Sequence, residues 1–547
     1  MRNKQVALLC LLQILSIDSF NCFRSPAHPI NSLLSSSKLY SRHRQGKFIM
    51  SPRATKNGGN VEEVSLETDH LLPTTAEREL NEPSTGQQIL SMAIPALGAL
   101  LIDPLMALAD TAFVGRHADS AEQLAGMGSA AAILTFSFYL FNFLCFATTP
   151  LVAKQRAAGN ERGALDVGGQ ALSLSLLLGS ILTIGLISAS QPLLQLMGTS
   201  QTGIVANEYA TVFLTIRALA APAVLCISAS TGILRGYLDT TTPVYILVAA
   251  NLINLSLDYV LIAKFDMGPM GAAIATTTAE WICAIAFLLI LAGNFPSATG
   301  QLGRNRHDGT IVSISPSLSV PAWQDVKPLV VASSSLLLRS LVLQVTLSGA
   351  AGMAARSGDH DAAASVAAHQ IAIQLWLLCN FICDALEAAA QGLVADALGQ
   401  GSQEKARDIS RTVFVYSLIL GGILSIGLWV GYSTHFLVEF FTKDIPTQIK
   451  LQEILVIVIL AQPLNALVFA ADGVLQGASE FPFQAKAMAL SSSVALAFFI
   501  AIQNGGSTDT LVHVWMALIV LQVMRGLTSL QKLIEEDGPI NLLAGDK

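Results

Sequence analysis

The chain has 547 residues, of which 52% are hydrophobic and only 13% are charged. Soluble proteins carry about 25% Asp, Glu, Lys and Arg, so this composition, with a mean hydropathy of +0.56, excludes an ordinary soluble enzyme and predicts a polytopic membrane protein. The net charge of −7 says little about partners. Five of the seven cysteines fall in apolar segments, where we expect small buried hydrophobic side chains.

Residues 1–60 are predicted to be a targeting leader. Arg2 and Lys4 precede an apolar run, Val6 to Ile17, that suits a signal-peptide core and is too short to span a membrane. Residues 31–60 are basic, rich in Ser and free of Asp and Glu, which is typical of organelle transit peptides. This order predicts a plastid envelope protein. The alternatives are an N-terminal tail with a chance apolar patch, and another organelle or the plasma membrane.

Residues 61–87 are predicted to be a polar linker. Beyond this linker the sequence predicts an all-α protein of twelve transmembrane helices. Each apolar stretch is long enough to cross about 30 Å of hydrocarbon. The spans are predicted near 88–113, 124–149, 167–190, 208–231, 243–263, 270–293, 326–353, 364–395, 409–431, 451–475, 485–503 and 508–530. They form an N-lobe (88–293) and a C-lobe (326–531), separated by a polar connector (294–325) and followed by a tail (532–547). Lys and Arg in the predicted loops favour one side by fourteen to five, so both termini are expected on the cytosol-equivalent side.

The two lobes resemble each other in sequence. A shift of 242 residues lays Gly159 on Gly401, and a shift of 241 lays Pro222 on Pro463. The second shift also aligns the segments that begin at Gly232 and Gly473. An even number of spans in each half gives both halves the same orientation, so the sequence predicts two parallel six-helix repeats about an axis normal to the membrane. Transporters use this architecture.

Several ionisable side chains fall at membrane depth, where each costs at least about 2.5 kcal/mol on insertion scales and is therefore a functional candidate. They are Asp103, Asp110, Arg217, Asp258, Glu280, Arg339, Asp384 and Glu387, and Gln391 joins them as a candidate cavity residue. Asn254 lies one turn before Asp258 on the same helix face, so its amide can hydrogen-bond the carboxyl. A carboxyl group among apolar helices is expensive to ionise, which suits it to proton exchange.

Each charge also has a structural interpretation. Asp103 and Asp110 are alternatively near a helix end and partly solvated, while Arg217 and Arg339 alternatively pair with carboxylates or carbonyls. Asp384 and Glu387 alternatively line a hydrated cavity. The sequence contains no Gly-rich phosphate loop, no His-Glu-x-x-His and no basic patch with interleaved aromatics. We therefore expect no nucleotide cofactor, no metal and no nucleic-acid partner. Transport driven by an ion gradient is the function that remains compatible with the sequence.

Four linked motifs carry a resemblance to a known family. They are Asp103-Pro-Leu-Met-Ala-Leu-Ala-Asp110-Thr-Ala-Phe-Val-Gly115, Arg217-Ala-Leu-Ala-Ala-Pro222, Gly232-Ile-Leu-Arg-Gly-Tyr-Leu-Asp239-Thr-Thr-Thr-Pro243, and Asn251-Leu-Ile-Asn254-Leu-Ser-Leu-Asp258 leading into Gly268-Pro-Met-Gly271-Ala-Ala-Ile-Ala-Thr276. Over roughly residues 86–530 the chain resembles the multidrug and toxic compound extrusion (MATE) transporters, in particular the DinF-like branch with its plant plastid members.

The resemblance implies a V-shaped bundle of two six-helix lobes that exports organic solutes in exchange for a cation by alternating access. Proton-coupled members use an acid in span 1, an Asn/Asp pair in span 5 and a Thr in span 6, which correspond here to Asp110, Asn254 with Asp258, and Thr276. The kinking proline corresponds to Pro95. The repeat lays Gly352 on Asp110, so the C-lobe lacks an equivalent switch and a first-lobe proton mechanism is favoured.

The resemblance leaves the solute and the coupling ion open. The substrate is expected to be a small organic solute, either an organic cation or xenobiotic, or an organic acid that Arg339 could meet. The protein is expected to be a monomer in the bilayer, with H⁺ as the coupling ion and Na⁺ as the alternative. A lipid-linked precursor flippase would need a strongly cationic cavity, and the spans offer only Arg217 and Arg339. A membrane enzyme would need a metal or nucleophile constellation, and the sequence offers none.

Overall fold

Twelve membrane-spanning segments dominate the part of the chain that this computed structural model describes, which is residues 83–117, 121–196, 204–300, 302–304, 311–316, 323–354, 362–504 and 510–543. The predicted leader, nearly all of the predicted linker and residues 544–547 lie outside these ranges. Eleven helices are long and apolar enough to cross a membrane, and a bent pair makes the twelfth span. The prediction of an all-α polytopic protein is therefore confirmed.

The helix bounds follow the predicted order. The first six spans are Thr85–His117, Ala121–Leu140 with Phe143–Ala157, Glu161–Ser188, Ile204–Ala218 with Ala221–Gly236, Thr241–Asp258 with a π-helical continuation over Tyr259–Lys264, and Gly268–Leu291. The second six are Trp323–Ala354, Ala362–Gly399, Gln403–Ser433, Ile445–Gly477, Phe481–Asn504 and Thr510–Ile534. Two short helices, Ser190–Leu196 and Phe436–Phe441, follow spans 3 and 9. We number the spans 1 to 12 in this order.

The connector between the lobes contains an element that its polar composition did not predict. Gly303–Arg304 pairs antiparallel with Ile311–Val312, and the register sets Gly303 opposite Val312. Ile314 is buried, and its amide donates to the carbonyl of Leu291 at 2.7 Å. The described part of the connector is therefore packed onto the end of span 6.

The internal repeat is visible at the turns that open spans 3 and 9. Gly159 and Gly401 both have φ +75°, a conformation that glycine adopts without steric cost. The next residue in each turn caps the helix: Asn160 accepts from the Gly163 amide, and Ser402 accepts from the Lys405 amide. Such caps satisfy amides that a helix leaves unpaired at its start, so the same short sequence plan begins the same helix in both lobes.

The same correspondence governs the prolines of spans 4 and 10. Pro222 and Pro463 lack the amide that would bond the carbonyl four residues earlier. A hydroxyl from the preceding span replaces that donor in each lobe, from Thr183 to the carbonyl of Ala218 at 2.7 Å and from Ser425 to the carbonyl of Ile459. Broken backbone bonds at membrane depth need such replacements.

The helices that contain these two prolines nevertheless differ in shape. Span 4 breaks at residues 219–220 and bends by 46°, whereas span 10 runs unbroken from Ile445 to Gly477. Carbonyls at the span 4 break receive further donors from span 6, from Thr277 to Ile216 at 3.4 Å and from Trp281 to Leu219 at 3.2 Å. The break in span 4 is therefore held by its neighbours.

The lobes meet mainly along span 8. This helix packs against span 1 and against the second half of span 2, Phe143–Ala157, whereas the first half of span 2 packs mainly against span 4. Near the predicted inner side, Gly399 lies so close to span 2 that an added Cβ would stand 2.6 Å from the carbonyl oxygen of Lys154. Arg156 also bonds Asp396 across the lobes at 2.5 Å. The predicted inner ends of the two lobes are therefore in close contact.

Candidate functional site

Span 1 carries the first predicted acids. Asp103 and Asp110 both lie on the helix Thr85–His117, and their side chains are outside the described part of the structure. Pro95 and Pro104 lie inside the same helix, which is continuous through both. A bend of span 1 at Pro95 therefore stays a prediction.

Span 5 holds the predicted Asn/Asp pair in its interior-facing surface. Asn254 is 2% exposed and Asp258 is 0% exposed, while Leu252 and Tyr259 on the other side of the helix are exposed. The helix packs against span 1, which carries the predicted acids, and against span 6, which carries Thr276. Asp258 is the last α-helical residue before the π-helical turn, and π turns inside helices are frequent at functional sites.

Thr276 and the glycines before it shape the start of span 6. The Thr276 hydroxyl donates to the carbonyl of Ala272 at 2.8 Å within its own helix. Gly268 has φ +51°. A Cβ on Gly271 would lie 3.3 Å from Leu261 in the π-helical turn. The glycines of this motif thus allow span 6 to approach the turn that follows Asp258.

The motif that ends at Asp239 has a structural role. Asp239 is fully buried and accepts from the amides of Thr241 and Thr242 at the start of span 5. It also accepts from the Thr299 hydroxyl at 2.9 Å. A carboxylate at a helix N-terminus is stabilised by these donors and by the helix dipole. Asp239 therefore fixes the start of span 5 and ties the connector to the N-lobe.

Arg217 and Glu280 form an ion pair between spans 4 and 6. The guanidinium bonds both carboxylate oxygens, with Nη2 to Oε1 at 2.8 Å. Both side chains are largely buried, and two-pronged pairing of this kind fixes geometry strongly. Arg217 and Glu280, both predicted as cavity residues, thus pair with each other, in agreement with the structural interpretation that Arg217 pairs with a carboxylate.

In the C-lobe, Asp472 of span 10 is the centre of a buried charge cluster. It bonds Arg339 of span 7 and Arg525 of span 12, the latter at 2.6 Å. Gln484 of span 11 donates to the Asp472 backbone carbonyl at 3.0 Å. A cavity of about 10 Å³, lined by these four side chains among others, has room for about one water molecule. Arg339 therefore follows its structural interpretation and pairs with a carboxylate.

Glu387 and Gln391 of span 8 belong to a second C-lobe network. Gln476 of span 10 donates to Glu387 Oε1 at 2.7 Å, and Gln391 donates to Gln476 Oε1 at 3.0 Å. Gln391 also donates to the carbonyl of Phe146 in span 2 at 2.7 Å. Because Phe146 belongs to the N-lobe, this buried amide joins the two lobes.

Asp384 lies one turn before Glu387 and is only half-buried. Within the described ranges no donor lies within hydrogen-bonding distance of its carboxylate. It interacts electrostatically with Arg339, Arg235 and Arg525. Tyr139 of span 2, half exposed, interacts electrostatically with Asp384 and Arg339. Asp384 therefore faces the region between the lobes.

The sequence count of intramembrane arginines was too low. Arg235, just beyond the predicted span 208–231, and Arg525, near the end of the predicted span 508–530, were both counted among the fourteen inner-side charges. They lie on spans 4 and 12 and are only 5% and 6% exposed. Span 4 continues to Gly236, beyond its predicted end, so Arg235 lies in its last turn, whereas Arg525 lies well before the end of span 12 and bonds Asp472 of span 10. Asp472 was missed because it stands close to the predicted end of span 10. The only sequence signal for it is an acid among four turns of apolar residues.

The described residues contain no group of three or more His, Cys, Asp or Glu side chains arranged to hold a metal ion. The cysteines at 145, 226, 283, 379 and 383 are buried and form no disulfide with one another, as expected for small hydrophobic side chains. The site chemistry of the described spans is thus carried by carboxylates, guanidiniums and amides.

Comparison with known proteins agrees with this architecture. The MatE family model matches residues 95–260 and 342–501, one segment in each lobe. Protein DETOXIFICATION 44, chloroplastic, of Arabidopsis thaliana is 33% identical over 473 residues, which cover 84% of each chain. DNA damage-inducible protein F of Escherichia coli is 25% identical and covers 81% of this chain and 91% of its own.

The fold is also that of a solved transporter. The outward-facing conformation of a multidrug resistance MATE family transporter of the MOP superfamily superposes with a TM-score of 0.70 at 20% sequence identity, covering 83% of this chain and 96% of the other. Three observations support the same assignment. The chain has two lobes of six spans, the repeat extends to individual hydrogen bonds, and the family model matches a segment in each lobe. The chain belongs to the MatE family and is a multi-pass membrane transporter of the multidrug and toxic compound extrusion type, not an enzyme.

Proposed function

We propose that the protein exports a small organic solute in exchange for protons, and that Asp258 of span 5 binds the coupling proton together with Asp110 of span 1. The observation that carries the proposal is the complete burial of Asp258 beside Asn254 in an apolar lobe. An ionised carboxyl is costly in such surroundings. Proton binding and release at this position can therefore be exchanged for a change in packing.

The coupling follows from where the pair lies. Asp258 precedes the π-helical turn, against which span 6 packs through Gly271, and span 5 also packs against span 1. Neutralising the carboxyl changes its hydrogen bonding to Asn254 and Thr276, and span 1 then bends near Pro95 and displaces the solute. Because coupling is reciprocal, solute binding must in turn promote proton release.

The closed inner ends support an outward-open state. Span 8 packs along the inner half of span 2, and the Arg156–Asp396 pair and the Gln391–Phe146 bond join the lobes there. With the orientation predicted from loop charges, solute would leave from this state on the side away from the cytosol-equivalent compartment. The return step requires these contacts to open.

The membrane is proposed to be the plastid envelope. The acid-free, basic stretch at residues 31–60 favours plastid import, and the relative from Arabidopsis is named chloroplastic. The leader itself lies outside the described residues. Sequencing the N-terminus of the mature protein would show whether the leader is cleaved and where.

A second candidate places coupling in the C-lobe, with Na⁺ or H⁺ bound by its acids. Asp384 and Glu387 lie one turn apart near the lobe interface, and Glu387 is hydrogen-bonded by Gln476. Asp384 is balanced by arginines rather than paired with one. This candidate predicts loss of coupling in Asp384→Asn and Glu387→Gln with normal coupling in Asp258→Asn.

Proton movement in proteoliposomes distinguishes the two candidates. The full chain would be reconstituted with a pH dye inside and challenged with organic cations and carboxylic acids. We expect solute-triggered proton flux that is lost in Asp258→Asn and Asp110→Asn and retained in the control Asp537→Asn, whose carboxylate is exposed beyond span 12. Unaltered coupled flux in Asp258→Asn would reject the proposal. Sodium-dependent uptake or lipid scrambling instead would identify the sodium-coupled or flippase alternative.

A further inference from the structure

Arg235 is a buried cation that none of the steps above uses. It lies in the last turn of span 4 and is 5% exposed. Among the described residues its guanidinium has one hydrogen-bond partner, the thiol sulfur of Cys145 in span 2 at 3.6 Å. A thiol is a weak acceptor and a guanidinium has five donors. Buried arginines are normally paired with an anion, and among the described residues Arg235 has no such partner.

The internal repeat shows which C-lobe residues correspond to Arg235 and Cys145. Gly232 packs on the carbonyl of Cys145 as Gly473 packs on the carbonyl of Glu387, with an added Cβ 2.7 Å and 2.5 Å from the respective oxygens. Cys145 is thus the counterpart of Glu387, and Arg235 that of Gln476. In the C-lobe the pair is an amide and a carboxylate at 2.7 Å. In the N-lobe it is a guanidinium and a thiol, so this pair has a cation and no carboxylate in the N-lobe, and a carboxylate and no cation in the C-lobe.

Asp384 supplies a second incompletely paired charge at the same lobe interface. Its carboxylate accepts no hydrogen bond from the described residues, and Arg235 is among the three arginines that interact with it electrostatically. Arg235 and Asp384 belong to different lobes, and their side chains are not within ion-pair distance in this structure. The cross-lobe bond from Gln391 to Phe146 lies one turn beyond Glu387 along span 8 and closes the interface there.

Among the described side chains of this region the formal charges balance. Three arginines (235, 339 and 525) and three acids (Asp384, Glu387 and Asp472) interact across the interface and in the C-lobe. A ligand with one net charge would leave an uncompensated charge in a low-dielectric region, which is costly. A ligand with both charges satisfies Arg235 and Asp384 together and leaves the balance unchanged.

We propose that the lobe interface binds a zwitterion that carries a carboxylate and a basic amine. The guanidinium of Arg235 takes the carboxylate, in the two-pronged geometry that suits these groups, and Asp384 takes the ammonium. Because the two residues sit on different lobes, the ligand bridges the lobes. This assignment rests on the proposed export function, of which it names the substrate class.

The test is a binding assay with ligands that differ only in charge. The full chain in nanodiscs would be titrated, without a pH gradient, with phenylalanine, phenethylamine and 3-phenylpropionate. Two further sets would follow: leucine with 3-methylbutylamine and 4-methylpentanoate, and tryptophan with tryptamine and indole-3-propionate. We expect at least one zwitterion to bind about ten- to a hundredfold more tightly than either of its singly charged analogues, since each analogue loses one charged hydrogen bond.

Two variants assign the charges. Arg235→Gln, which copies the counterpart Gln476, should remove the preference for the zwitterion over the amine. Asp384→Asn should remove its preference over the carboxylic acid. Lys443→Gln removes a positive charge at an exposed position between spans 9 and 10 and should leave all three affinities unchanged.

The outcomes separate this inference from proton coupling. Zwitterion binding that depends on Arg235 and Asp384, with no proton flux, would reject coupling and keep the site. Binding of no zwitterion, equal binding of the amine, or an unchanged preference in Arg235→Gln would reject the zwitterion site, whatever the proteoliposome assay reports.

Discussion

Asp472 offers a direct test of the buried charge cluster, because a single carboxylate there balances two guanidinium groups. Asp472 is 4% exposed and bonds both Arg339 and Arg525. Removing one partner of a buried pair leaves an uncompensated charge and costs about 3–5 kcal/mol. Asp472→Asn strands two cations, so we expect a loss of unfolding free energy at the upper end, about 4–5 kcal/mol.

The reverse truncation should cost less. Arg339→Gln leaves Asp472 paired with Arg525 at 2.6 Å and with Gln484 near its other oxygen at 3.3 Å. Only a charged hydrogen bond is lost, which is worth about 1.5–3 kcal/mol. In the double variant Asp472→Asn/Arg339→Gln one stranded cation is absent, so the double variant should be more stable than Asp472→Asn alone. Such a difference measures the coupling between the two residues.

The assay is reversible unfolding of the purified protein in mixed micelles by titration with dodecyl sulfate, followed by tryptophan fluorescence and circular dichroism. Asp537→Asn, at an exposed position, is the matched control and should change the unfolding free energy by less than about 0.5 kcal/mol. Equal losses in Asp472→Asn and Arg339→Gln would refute the argument that the carboxylate is shared. So would a loss below about 1 kcal/mol in Asp472→Asn.

Three further predictions concern the backbone, the lobe interface and pH. Thr183→Val removes the hydroxyl that bonds the carbonyl freed by the span 4 proline, and should destabilise by about 1 kcal/mol in the same titration; no change would show that the break needs no replacement donor. Arg156→Gln removes the cross-lobe bond to Asp396 and should speed amide hydrogen exchange at the inner ends of spans 2 and 8. Unchanged exchange there would mean that the pair does not hold the lobes together. Hydrogen bonds from Thr447 lower the pKa of the exposed Asp444 carboxyl, which caps span 10. Because the folded-state pKa lies below the unfolded value of about 3.9, the stabilisation is present above that pH and is lost as pH falls through the folded value, so Asp444→Asn should make stability less dependent on pH below about pH 4.

Some of the candidate site could be predicted from sequence, because its signals are local. Asn254 and Asp258 are four residues apart on an apolar helix, and this spacing alone sets them on one face; the structure buries both. Arg217 and Glu280 were recognised as costly charges, but their pairing was not predictable, since it depends on how spans 4 and 6 approach each other. The roles of Asp110, Asp258 and Thr276 in coupling stay predictions.

What the sequence by itself determined is the number of spans, their order and the repeat, because crossing hydrocarbon requires about twenty apolar residues and one helix per crossing. Glycine and proline keep their register between the lobes because they set backbone geometry, and the structure repeats their contacts at Gly179 with Pro222 and at Gly421 with Pro463. Only the tertiary structure decided that Arg235 and Arg525 are buried, that Asp472 balances two cations, and that span 4 breaks where span 10 does not. These outcomes depend on side chains far apart in the chain, whose charge or hydrogen-bonding need is met by another helix, and no local pattern records which helix that is.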